Sequence, residues 1–259
     1  MKYILQTQKT LHSEGRWDID YHLPPEGILA FDKSLLKPVM EAADIVKEKR
    51  DPTKEADELF LYIDISCVDV ATGVIANPQE LIGSEAPSRA RKIVNAYDLI
   101  ISTCRPTRGA IAVVPEEYHN QICSTGFSVI RPRAGVNPFY LHFALRLSST
   151  LEQFRKFSTG SSYPAILDSD VEKTLIPLPD LETQDLIAGN ILNALRTRSR
   201  AINEANNLFS SSVDVVIQAL SEKHYDTIDS YGGQDVYTTN QITERLLKLN
   251  GGTVFKLKS

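Results

Sequence analysis

Cysteine is scarce in this sequence. Cys67, Cys104 and Cys123 are odd in number and far apart, with no Cys-x-x-Cys and no Cys/His cluster. A disulfide framework and a zinc-finger spacing are thereby excluded, and reduced, mostly buried thiols in a cytoplasmic protein are expected. Long apolar runs are missing too: none reaches 18 residues, so no membrane helix is expected. The first residues, with Lys2, Gln6, Lys9 and His12 among them, lack the continuous apolar segment of a secretory signal. No P-loop is present, and no Gly-x-Gly follows a strand-like run. His12, His22, His119, His142 and His224 are dispersed, and no metal site is expected. His119 lies near Cys123, but neither has the supporting motif of a nucleophile dyad. Pro179-Asp180 is not followed by the Glu-x-Lys or Asp-x-Lys of a metal-dependent nuclease. Excess positive charge is also lacking. The formal net charge is −5, so a nucleic-acid role must rest on local charge.

What is present fits one large domain or two small ones: 259 residues, 42% of them hydrophobic, without internal repeats. The first 27 residues read as irregular. Ser34 has the chemistry of a helix cap, and the apolar spacing predicts a helix from Leu35 through Val46, ending in Lys47, Lys49 and Arg50 before Asp51-Pro52. Leu59 to Ile65 reads as a buried strand, followed by a turn at Thr72-Gly73. Three more strands are predicted at Asp98–Ser102, Ala110–Val114 and Gly126–Arg131. Asn137-Pro138 opens a helix, with Asn as cap and Pro at the first position. A shorter helix carries Leu151, Phe154 and Phe157, and a small-residue loop runs from Thr159 to Ile166. Ser169 and Glu172 have capping-box spacing for one helical turn, before a strand at Leu175–Leu178. Short strands joined by such loops predict a mixed or antiparallel β core, an α+β fold.

The longest periodic pattern follows Pro179. Asp180 is a good N-cap, and Glu182 and Asp185 suit the positive end of a helix dipole. Apolar residues then recur three and four apart at Ala188, Ile191, Leu195, Ile202, Ala205, Phe209, Val216 and Ala219, with Arg198 and Ser212 as polar exceptions. From Leu181 to Leu220 such a helix is roughly 60 Å long. Its apolar row either folds back on its own domain or pairs with another long helix. Ile191, Leu195, Ile202, Phe209 and Val216 are the expected contact residues. Beyond Leu220 a loop at Tyr231-Gly232-Gly233, a helix over Thr239–Leu249 and a strand over Thr253–Leu257 are expected.

Local charge does gather in one region. Arg89, Arg91, Lys92, Arg105, Arg108, Arg131 and Arg133 stand against Asp98, Glu116 and Glu117. Arg105 and Arg108 share a strand-connecting loop, where two guanidinium groups can serve guanine edges or phosphates. Thr107, Ser161, Ser162 and Tyr163 add hydroxyls. The expected DNA-contacting set is therefore Arg89, Arg91, Lys92, Arg105, Thr107, Arg108, Ser161, Ser162 and Tyr163. Asn137-Pro138-Phe139-Tyr140 is similar to the Asn-Pro-Pro-Tyr motif of amino-group methyltransferases, but its third residue departs from that pattern. A cap followed by proline explains the same residues, and no catalytic residue is expected.

Several pieces occur in a familiar order. Phe60 to Ser66 precedes Thr72-Gly73, and Asp98 to Ser102 leads into an arginine loop ending at Gly109. Ser124 to Pro132 is followed by Asn137-Pro138, and Ile176 to Pro179, then Leu181-Glu182 and Gln184, opens the long helix. Over roughly residues 16–222 this resembles the DNA-specificity subunit of type I restriction-modification systems. The resemblance implies a non-enzymatic subunit without its own cofactor. It would direct an S-adenosylmethionine-using adenine methyltransferase subunit to double-stranded DNA, and a motor and nuclease subunit can join. It further implies a target recognition domain over residues 1–179, a coiled-coil-forming spacer helix over 180–222, and an extension of unassigned role over 223–259. Family members usually carry two of each part, and this chain has one. The expectation is a half-subunit whose two copies pair their long helices antiparallel and read an interrupted inverted repeat. Two other classes stand beside it: a stand-alone adenine methyltransferase built on Asn137–Tyr140, and an interaction scaffold that no longer reads DNA.

Overall fold

The computed structural model describes residues 7, 8, 12, 15–160 and 162–222. Its chain divides after Leu195 into two compact units. The first carries two four-stranded sheets. One has the order β6 (Gln79–Ile82), β3 (Leu59–Ile63), β10 (Gln121–Ser124), β7 (Ala90–Val94). The other has the order β2 (Ala43–Ile45), β11 (Phe127–Pro132), β8 (Leu99–Ser102), β9 (Ile111–Val113). Within them β10 runs parallel to β3 and every other pair is antiparallel. Two-stranded pairs join β1 (Leu36–Pro38) to β12 (Leu175–Pro177) and β4 (Val68–Asp69) to β5 (Val74–Ile75). The helices are α1 (Ile19–His22), α2 (Val39–Ala42), α3 (Pro138–Leu145), α4 (Ser148–Phe157), α5 (Asp168–Lys173) and α6 (Leu181–Glu222). Sheets and helices thus coexist in the α+β arrangement that the sequence predicts.

Strand β8 shows why the layers stack as they do. Its unbroken apolar run Leu99-Ile100-Ile101 suits a strand covered on both faces. Leu99 and Ile101 point to a core shared with Leu141, Leu145, Phe154, Ile176 and Ala188 from the helical side and β12. Ile100 points the other way, into a core with Ile63, Val94, Cys123, Phe127 and Val129 between the two sheets. Phe60, Tyr62, Ala90 and Ile122 fill a third cluster on the far face of the first sheet.

The predicted helix over Leu35–Val46 is not formed. The segment is strand β1, the single turn α2 and strand β2. Ser34 bonds back to Asp32 rather than capping a helix. Ala43, Asp44 and Ile45 instead pair with Pro132, Arg131 and Ile130 of β11, and a ladder with a central strand overrides local periodicity. Ser169 is not a cap either: α5 begins one residue earlier, and the carboxylate of Asp170 accepts from the amide of Leu167 at 2.8 Å. The elements expected beyond Leu220 at 231–233, 239–249 and 253–257 lie outside the described residues.

The Thr72-Gly73 turn sits against α3. Gly73 has φ +72°, and a Cβ there would lie 2.2 Å from Nε2 of His142 and 2.3 Å from Nη1 of Arg146. His142 is buried, and its Nε2 lies 3.0 Å from the carbonyl of Ile111. Burial, reinforced by the Arg146 charge, lowers its pKa to about 4. The native state therefore disfavours the imidazolium that the unfolded chain accepts near its ordinary value. The associated stability is fully present above about pH 6.5 and is lost as pH falls towards 4, to the extent of roughly 3 kcal/mol. Urea unfolding at pH 7.0 and 5.0 is expected to show a loss of about 2 kcal/mol that His142→Gln reduces. An equal loss in both proteins would assign the pH dependence to other groups.

Candidate nucleic-acid interface

Three connections meet at one edge of the first unit: the β8–β9 loop, the β10–β11 turn and residues 162–166 before α5. Main-chain hydrogen bonds join them. Thr103 donates to the carbonyl of Gly126 at 2.8 Å, Ile166 donates to Thr103 at 3.0 Å, and Arg105 donates to Pro164 at 2.7 Å. Thr125 in turn donates to the carbonyl of Arg89 at 2.8 Å, which adds the lead-in to β7 as a fourth member. The Oγ1 of Thr103 donates to the same Gly126 oxygen. Sequence spacing alone did not bring Thr125 or Thr103 into the site. Both act through a turn whose position depends on the strand order.

Within this edge, Arg105 adopts φ +49° at the entry to a 3-10 turn, Pro106–Arg108. Its Cζ lies 5.1 Å from the ring centroid of Tyr163, a side chain 76% exposed. Thr107, Arg108, Arg89 and Ser162 are exposed. Among the described residues no carboxylate forms an ion pair with Arg89, Arg105 or Arg108. Ser161 lies outside the described residues.

The other basic residues are engaged internally. Lys92 donates to the carbonyl of Phe127 at 2.6 Å and lies 4.0 Å from Asp168, so it braces the base of the loops. Arg91 donates to the carbonyl of Ala90 and approaches Asp51 at 3.4 Å. Arg131 grips the buried Asp98 through two bonds of 2.8 and 2.9 Å, which raises the arginine pKa further. Arg133 pairs with Asp44. The cations clustered in sequence thus sort into exposed Arg89 and Arg108 and half-buried Arg105, none with a carboxylate partner among the described residues, and a remainder that holds the fold.

Chemistry at Asn137–Tyr140 has a structural account. Asn137 Oδ1 accepts from the amides of Phe139 and Tyr140 at 2.9 and 3.0 Å, and its Nδ2 donates to Asp185 at 2.7 Å. Tyr140 is buried, its hydroxyl donating to Pro177, and burial raises its pKa to about 12. Gln184 Oε1 accepts from the Asn137 amide at 3.0 Å, so this corner fastens α3 to the start of α6. Asn137→Ala is expected to lower stability by about 1–2 kcal/mol through the lost cap, read by urea unfolding against the parent chain. Unchanged stability would show that this cap does not hold the start of α3. Cys123 is buried on β10 with its thiol pushed up to about 12, which removes it as a nucleophile, while His119 Nδ1 accepts from the amide of Ala96.

Helix α6 starts where the sequence places it, with Asp180 accepting from the amide and hydroxyl of Thr183 at 2.9 and 3.0 Å. Ala188 enters the core, and Ile191 and Leu195 are half-buried. In the second unit Ile202, Phe209 and Val216 are 41, 72 and 43% exposed, joined by exposed Leu208, Val213, Ile217 and Leu220. Ser212 directs its hydroxyl to the carbonyl of Leu208, which makes it tolerable in an apolar row.

The described chain thus combines an α+β fold, an arginine-bearing loop edge and a long helix with an apolar stripe. The family described as type I restriction modification DNA specificity domain matches residues 39–207, more than half of the chain, and the protein belongs to that family. The chain is 28% identical over 148 residues to the specificity subunit of the type I restriction enzyme HindI of Haemophilus influenzae, covering 56% of this chain and 31% of that one. It is similar to the HsdS subunit of Thermoanaerobacter tengcongensis, with 37% identity, TM-score 0.56, and 72% of this chain and 47% of that one covered. A chain from a structure addressing complex assembly and conformational transition of a type I R-M system matches at 35% identity and TM-score 0.58, over 78% of this chain and 51% of that one. The HindI and HsdS relatives are specificity subunits, the non-catalytic components of restriction-modification enzymes. The chain spans about a third to a half of the length of these relatives. No helix among the described residues is long and apolar enough to cross a membrane.

Proposed function

We propose that this chain reads duplex DNA for a type I restriction-modification system and performs no chemistry itself. The observation that carries the proposal is the loop edge: half-buried Arg105 and exposed Arg108 lie on a connection bonded to two other loops and have no carboxylate partner among the described residues, in a chain of the DNA-specificity family. Residues 1–179 form the recognition domain in this proposal, 180–222 the spacer helix, and 223–259 an extension. Arg89, Arg105, Thr107, Arg108, Ser162 and Tyr163 contact DNA directly. Arg91 and Lys92 act mainly by holding the loops in place. Two copies associate through α6, antiparallel, with Ile191, Leu195, Ile202, Phe209 and Val216 in the seam. The 42-residue helix is roughly 63 Å long and separates two readers by more than one DNA turn of about 34 Å. An adenine methyltransferase subunit docks on this frame and supplies the S-adenosylmethionine chemistry. A motor and nuclease subunit joins for restriction, all in the prokaryotic cytoplasm.

The test is to map methylated adenines in DNA exposed to the methyltransferase with and without this chain. Chain-dependent methylation within an interrupted inverted repeat is expected. Methylation independent of the chain would overturn the proposal, and a single uninterrupted site would overturn the two-copy arrangement alone.

A further inference from the structure

We infer that Tyr163 is a positioning residue that holds Arg105 to read one guanine. The inference rests on the DNA-reading function proposed above and specifies how one base is recognised. Arg105 is restrained from two sides. Its backbone is pinned by the 2.7 Å bond to Pro164, and the antiparallel bridge between Cys104 and Ala165 fixes the residue before it. Its guanidinium carbon lies over the ring of the residue preceding that same proline. Backbone and side chain are thus both referred to the 163–165 segment, which removes most of the freedom that an exposed arginine has.

A ring on one face of the guanidinium leaves the N–H donors along its edge available. Among the described residues none of these donors is bonded to a protein acceptor. A planar fork with fixed orientation matches the O6 and N7 acceptors that guanine presents in the major groove. Phosphate contact has no need of this restraint, and Arg89 and Arg108, without a stacking partner among the described residues, suit it better. Tyr163 is 76% exposed, so the ring beside the Arg105 guanidinium is open to a ligand approaching this edge.

The experiment selects bound sequences from a random-sequence duplex library with the full-length chain and compares variants position by position. The wild type is expected to enrich a motif with a fixed guanine. R105K is expected to lose the preference at that one position by about 10- to 100-fold, because lysine lacks the fork. Y163A is expected to relax the same position, whereas Y163F, which keeps the ring, is expected to retain it. Uniform weakening across all positions in R105K would make Arg105 a phosphate contact and overturn the inference while leaving DNA reading intact. Relaxation at a different position in Y163A would assign Tyr163 its own base contact and likewise overturn it. Absence of any enriched motif for the wild type would overturn the DNA-reading proposal together with the inference.

Discussion

Replacing Arg105 and Arg108 together by alanine is expected to weaken binding to target DNA by about a hundredfold or more. Each lost charge-assisted or bidentate contact contributes about 1–3 kcal/mol, and the two side chains share one loop, so both losses fall on the same patch. The effect should exceed that of replacing Arg131 and Arg133, because those residues are held by Asp98, Glu48 and Asp44. Folding should be nearly unaffected: the loop is fixed through main-chain bonds, and Arg108 is exposed. Fluorescence anisotropy with duplex DNA at one fixed salt concentration, alongside urea unfolding, separates the two effects. Unchanged affinity in a folded double variant would remove this loop from the interface.

The second large effect is expected from the long helix. Ile202→Asp with Phe209→Asp places a carboxylate at two positions of the apolar stripe. In an isolated chain both positions are exposed, so helix content should change little. In an antiparallel pair each carboxylate loses water without gaining a partner, at a cost of several kcal/mol per copy. Sedimentation equilibrium is therefore expected to show a dimer for the parent chain and a monomer for the variant. Recognition of the interrupted repeat should fall to recognition of one half. A parent chain that sediments as a monomer, or a variant that remains dimeric, would refute pairing through this stripe.

The parts legible from sequence are those whose determinants are local and long. Helix α6 carries its own cap at Asp180 and a stripe repeated over many turns, and it forms where both indicate. Asn137-Pro138 likewise marks the start of α3. The segment 35–46 misled because its residues have helical spacing, while the decisive interaction is pairing with β11, distant in sequence. Strand β7 was illegible for a related reason. Its Arg91 and Lys92 belong to the expected DNA-contacting set, yet the Lys92 ammonium is drawn inward by the Phe127 carbonyl and Asp168. The basic loop itself was visible at Arg105 and Arg108. What spacing did not contain was the convergence of that loop with Thr125 and Tyr163, since convergence depends on strand order and on the parallel pairing of β10 with β3.

The bonds that gather the loop edge have one further consequence. Arg105 to Pro164, Thr103 to Gly126, Ile166 to Thr103 and Thr125 to Arg89 are all amide-to-carbonyl links. They do not depend on which side chains the loops carry, apart from the cost of a left-handed conformation at Arg105. Exposed positions such as 107, 108, 125, 162 and 163 can therefore be exchanged in natural drift without loosening the platform beneath them. Under the proposed function, a lineage can thereby acquire a new DNA target by small steps, each variant remaining folded while its preference wanders.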